Sequence, residues 1–273
     1  MKNKKIFFIL LFTLINLFSC NDVKSKNTII VSTLFPISSF FQSLLDSTIV
    51  SVSVLERNMD PHISDISPSN LKRISESKIF VLLGSKIEFE EKNKNQFLIE
   101  AKNSIAINLS KSLSKVNDPH IWISLDNLKI FAKVLYDTLS FYNIVEKENL
   151  NKKFYILNNK IDSLKESLEK IIKEKQIKII FTDHNAFYYF GREFNIEIKT
   201  ISDNEDEVSV KDLKDIYEKM SKEKLKIFFY TNKSSENYAK NFEKELNAKS
   251  LYIFPLENPL TNFENILTFL KSL

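Results

Sequence analysis
From residue 28 onward the chain alternates short apolar runs with longer stretches of helical spacing. Ile29–Val31, Ile79–Leu83 and Ile105–Leu109 read as buried strands, and Val50–Leu55 alternates apolar residues with serine. Ile37–Leu45 and Leu71–Ser77 have helical spacing, and Ser67-Pro68 puts a proline in the first turn of the second, where its missing N–H costs nothing. The second half repeats this grammar, with strands expected at Lys178–Thr182, Ile196–Ile201, Lys226–Thr231 and Ser250–Phe254 and helices over about 185–193, 209–223, 235–247 and 262–272. Such alternation predicts an α/β protein with two mostly parallel sheets, helices covering both faces of each.

Between the halves lies the most regular stretch of the chain. Phe154, Leu157, Ile161, Leu164, Leu168 and Ile171 are spaced 3, 4, 3, 4, 3, which makes one apolar stripe on a helix. No glycine or proline occurs from His120 to Phe190, so nothing interrupts a helix from about 146 to 175, a rod of about 45 Å. The stripe spans fewer than four heptads, which favours packing along both halves of a monomer over a coiled-coil dimer seam. The expected organisation is an N-terminal α/β lobe over 29–143, a bridging helix over 144–176 and a C-terminal α/β lobe over 177–273.

The residues ahead of the first strand have a different character. Lys2, Lys4 and Lys5 precede an apolar run from Ile6 to Phe18, which is 13 residues long. A bilayer span needs roughly 20, whereas a signal-peptide core needs roughly 7–15. Residues 1–19 therefore read as a signal peptide, and Leu17-Phe18-Ser19-Cys20 resembles the bacterial lipobox, in which cleavage precedes a cysteine that is then lipidated. Cys20 is the only cysteine, so no internal disulfide can form, and the residue is expected to be a membrane anchor followed by a polar tether over 20–28.

Losing residues 1–19 removes three lysines and no acid, leaving 36 basic against 35 acidic side chains. No electrostatic footprint for nucleic acid survives. Only two glycines occur, Gly84 and Gly191, which excludes the P-loop, the dinucleotide-binding fingerprint and the G-x-S-x-G elbow.

The chemistry is concentrated in three histidines. His62 and His120 occur in the same tripeptide, Asp60-Pro61-His62 and Asp118-Pro119-His120, and His184 follows the strand ending at Thr182. All three come after predicted strands. Ligands of open parallel sheets bind outside the carboxyl ends of the strands, so two facing sheets would bring the imidazoles into one cleft. Each proline stiffens the loop that presents its ring. Neutral imidazole suits Zn2+ and, less selectively, Mn2+.

Taken together, the signal and lipobox, Val31-Ser32-Thr33-Leu34-Phe35-Pro36, the two Asp-Pro-His tripeptides, Ser67-Pro68-Ser69-Asn70-Leu71, the Ile121-Trp122 that follows His120, and Asp183-His184-Asn185-Ala186-Phe187-Tyr188-Tyr189-Phe190 resemble one family. It is the zinc- and manganese-binding solute-binding lipoproteins of ABC transporters, the ZnuA/TroA-like group. The resemblance runs from about residue 28 to the C-terminus. It implies two α/β lobes bridged by a long helix, a metal in the inter-lobe cleft held by His62, His120 and His184, and delivery to a membrane permease with its ATPase.

The chain departs from the family pattern at the usual last acidic ligand, where Phe254-Pro255-Leu256 stands, and at the end of the preceding strand, where Thr231 and Asn232 stand. Water or a nearby acid such as Glu257 is left to complete the site, and three histidines without a carboxylate favour zinc over manganese. The His- and Asp-rich loop of some zinc members is also missing, since Lys111–Asn117 joins strand to ligand directly. An exported zinc hydrolase with a three-histidine site is the rival expectation, with Asp183 as its only evident base. A surface adhesin with a structural metal is another. The chain has no HExxH helix, and capture without catalysis is the expected activity.

Overall fold
The computed structural model describes residues 28–47, 49–201 and 208–273. The expected signal peptide, Cys20 and the tether through residue 27 lie outside the described residues. The first sheet is built from β1 (Thr28–Ser32), β2 (Val50–Ser53), β3 (Ile79–Leu82) and β4 (Ile105–Asn108), with α1 (Phe35–Gln42), α2 (Pro68–Ser75) and α3 (Glu88–Glu100) between them. Next come α4 (Leu125–Phe141) and the long α5 (Lys147–Glu174). The second sheet holds β5 (Ile179–Thr182), β6 (Glu197–Thr200), β7 (Ile227–Tyr230) and β8 (Lys249–Tyr252). Its helices are α6 (Tyr188–Phe194), α7 (Val210–Ser221), α8 (Glu236–Leu246) and the terminal α9 (Pro259–Ser272).

Every strand pair is parallel, and the two sheets share one topology, β2-β1-β3-β4 and β6-β5-β7-β8. The central strands are apolar on both faces because helices cover both faces. Val31, Ile79, Val81, Ile180, Phe181 and Ile227–Phe229 are accordingly buried. Both sheets reverse strand order between their first and third strands, the crevice where open α/β sheets bind ligands.

The bridging helix spans 28 residues, about 42 Å. Its stripe of Leu157, Ile161, Leu164, Leu168 and Ile171 is buried as the spacing predicts, joined by Leu150 and Ile172. α4 and α9 pack along it, and α9 also reaches α1 of the first lobe. One apolar core therefore runs from Ile30 and Val31 through α5 to Phe229 and Phe263, while a smaller cluster around Phe181, Phe228 and Phe242 lies in the second lobe.

Two helices, α3 and α4, were not among the sequence expectations. α3 has almost no apolar face, because Glu90 and Asn93 share its buried side with Phe89 and Phe97. Glu90 accepts hydrogen bonds from Leu83 N and Gly84 N, both at 2.7 Å, and from the Thr33 hydroxyl, so it ties α3 to the ends of β3 and β1. α4 does carry an apolar stripe, Leu125, Leu128, Phe131, Ala132, Leu135 and Leu139, and a serine cap at Ser124.

Candidate metal centre
The repeated Asp-Pro-His tripeptide folds the same way twice. Asp60 Oδ1 accepts a hydrogen bond from His62 N, and Asp118 Oδ1 accepts one from His120 N, each at 2.8 Å. The proline between them fixes φ, so aspartate and proline together aim the ring. The His62 loop leaves β2 and is held from below by Phe89 N donating to Pro61 O at 3.0 Å. His120 leaves β4 by way of the Leu109–Ser112 turn and is followed by α4. His184 lies two residues beyond β5, its carbonyl accepting from Thr182 Oγ1 and Ala186 N at 2.9 Å.

The three rings converge. Ring centroids are 5.0 Å apart for His120 and His184 and 5.7 Å for each of the other two pairs. One nitrogen from each can be chosen so that all lie within 4.8 Å of one another, and this is the only such group of metal-ligating side chains among the described residues. His120 Nε2 and His184 Nε2 are 3.1 Å apart. Two zinc–nitrogen bonds of about 2.0–2.1 Å at a tetrahedral angle would separate the nitrogens by about 3.3–3.4 Å. The donor set and its spacing therefore fit a zinc-sized ion.

Carboxylates orient two of the rings from behind. Glu88 Oε2 lies 2.7 Å from His62 Nδ1, and Asp118 Oδ1 lies 2.9 Å from His120 Nδ1. An Nδ1–H donated to a carboxylate leaves the Nε2 lone pair facing the centre and makes the ring a stronger donor. Burial, and then the neighbouring His120 and His62 rings, push the His184 pKa down to about 3. Its imidazole is thus neutral and ready to bind metal at any physiological pH.

The centre opens onto a cavity of about 250 Å³ lined by the three histidines together with Asn58, Asn185 and Trp122. Asp183 also borders it, but its carboxylate is occupied with the end of β7. It accepts from Thr231 N at 2.9 and 3.0 Å and from Thr231 Oγ1 at 3.1 Å. Burial raises its pKa, and those hydrogen bonds oppose the rise. Glu257 is turned away to an ion pair with Arg57 and to Asn258 N, and is not in the histidine group. Sequence reading passed over Glu88, because in the run Glu88, Glu90 and Glu91 it is indistinguishable from a solvated helix face. Only the tertiary fold brings it to His62.

The family model for the periplasmic component A of the zinc-uptake complex matches residues 30–273. The metal ABC transporter substrate-binding lipoprotein SloC of Streptococcus mutans is 25% identical, over 90% of this chain and 87% of that protein. The manganese ABC transporter substrate-binding lipoprotein PsaA of Streptococcus mitis is also 25% identical, over the same shares of the two chains. The crystal structure of ZnuA superposes with a TM-score of 0.77 at 20% identity, covering 90% of this chain and 98% of the other.

Proposed function
The chain belongs to the zinc-uptake complex component A family of metal-binding, substrate-binding proteins of ABC transporters, and from that premise we propose that it captures Zn2+ through His62, His120 and His184. The observation that carries the proposal is the convergence of three imidazole nitrogens within 4.8 Å with no carboxylate in the group. Manganese prefers oxygen donors and stands below zinc in intrinsic affinity for nitrogen sites, so zinc is the first choice of cargo and manganese the second. Water from the cleft that the histidines line would complete the coordination.

The captured ion would pass to a membrane permease driven by its ATPase. A lipid on Cys20 would keep the protein, as a monomer, at the outer side of the membrane; no helix among the described residues is long and apolar enough to cross one. The lobes would be 29–143 and 177–273, with the bridging helix over 144–176 between them. Calorimetric titration of the metal-free protein tests the reading. The expected result is one Zn2+ bound per chain, more tightly than Mn2+; no zinc binding, or tighter manganese binding, would contradict it. Fractionation of a Cys20→Ser variant tests the anchor, which predicts release from the membrane.

A further inference from the structure
The loop bearing His120 leaves the first sheet, yet many of its hydrogen bonds run to the second lobe. Asn117 N and Nδ2 donate to the hydroxyls of Tyr189 and Tyr188 at 3.1 and 2.8 Å. Trp122 Nε1 donates to Pro255 O at 2.9 Å. The most concentrated contact is Glu193, near the end of α6, whose side chain is only 3% exposed. Its carboxylate accepts from Ser124 Oγ at 2.7 Å, Leu125 N at 2.9 Å and Asp126 N at 3.2 Å. These amides belong to the first turn of α4 and have no partners within the helix, and a negative charge suits that end of the helix dipole. Lys165 of α5 completes the cluster, 2.6 Å from Asp126 and 3.7 Å from Glu193.

Little slack separates this clamp from either histidine. Ile123 N donates to His120 O at 3.0 Å, Asn127 Nδ2 donates to Ile121 O at 2.9 Å, and residues 120–125 are buried throughout. On the other side, Ala186 N returns to His184 O, and α6 begins at Tyr188. The His62 ring and the proline before it are held by Glu88 and Phe89 of their own lobe, and the His62 loop reaches the second lobe through the half-exposed Arg57, paired with Glu257.

We propose that Glu193 is a positioning residue for the metal site: by clamping the first turn of α4 onto α6 it sets the spacing of His120 and His184, which form a preassembled pair that His62 completes. The proposal rests on the metal-capture reading of the three histidines. It is tested on the full chain by measuring zinc affinity against a competing chelator, the visible absorption of bound Co2+, and the thermal midpoint of the metal-free protein. Glu193→Ala is expected to lower zinc affinity, by less than the about 10–100-fold that losing a direct partner of a ligand costs, and to shift or weaken the tetrahedral Co2+ bands. Glu193→Gln keeps one acceptor oxygen and should lose less.

Leu168→Ala, in the buried stripe of α5, is the control for destabilisation alone. It should lower the midpoint and leave affinity and spectrum unchanged. The proposal is overturned if Glu193→Ala keeps normal affinity and Co2+ bands at a lowered midpoint, or if Leu168→Ala loses affinity to the same extent. Failure of the unaltered protein to bind zinc or Co2+ would overturn the capture reading itself, and the proposal with it.

Discussion

Asp118 and Glu88 perform one task in different surroundings, which makes the pair a quantitative test of how the site is tuned. The Asp118 side chain is 8% exposed and that of Glu88 is 61% exposed. Asp118→Asn and Glu88→Gln each preserve shape and an acceptor oxygen while removing the charge behind one of the rings proposed to bind the metal. Loss of such a partner costs about 10–100-fold in metal affinity, or about 1.4–2.7 kcal/mol. Asp118 is shielded from water and also holds His120 N, so Asp118→Asn should fall in the upper part of that range. Solvent screening reduces an exposed pair to at most about 1 kcal/mol, so Glu88→Gln should cost less than about fivefold. Competition between each variant and a chromogenic chelator for zinc, at fixed pH, measures both. Equal losses, or a larger loss in Glu88→Gln, would refute the link between burial of the carboxylate and strength of the site.

Three further outcomes are expected. His62→Ala, His120→Ala and His184→Ala should each weaken zinc binding by more than about 100-fold, beyond the cost of an outer partner, with the metal-free circular dichroism unchanged; normal affinity in any one would remove that residue from the ligand set. In the metal-free protein, His184 takes up a proton near 6.5 when unfolded but only near 3 when folded, so the unfolded state holds more protons between those values and stability falls as pH falls. The slope from this residue is at most about 1.4 kcal/mol per pH unit, and urea melts between pH 7 and 5 should show a shallower pH dependence in His184→Gln; an unchanged slope would contradict the assignment. Glu90→Ala strands the buried Leu83 amide and the half-buried Gly84 amide and should lower stability by about 1–4 kcal/mol, read as a shift of the urea midpoint, whereas a change under about 0.5 kcal/mol would show that the amides find other partners.

Much of the architecture is legible in the sequence because its signals are local. The stripe on α5 declares itself by spacing, and the strands by short apolar runs at the positions the structure confirms. The three histidines are conspicuous because two share a tripeptide and all follow strands, a placement that parallel topology converts into proximity. What escaped notice depends on tertiary contact. α3 hides its inward face behind Glu90 and Asn93, polar residues that count against a helix by periodicity yet are satisfied in the fold. α4 is a different matter, since its stripe and its Ser124 cap are local signals that the sequence itself carries. Glu88, Glu193 and the diversion of Glu257 to Arg57 join residues 26, 69 and 200 positions apart, and nothing in sequence spacing announces such pairs.

The coordination sphere itself gives the most direct test. X-ray absorption at the zinc edge of the full chain, loaded with one equivalent of Zn2+, should show three imidazole nitrogens at about 2.0–2.1 Å and a single further light donor. Fewer than three imidazoles around the ion, or a sphere made chiefly of carboxylate oxygens, would contradict capture by His62, His120 and His184.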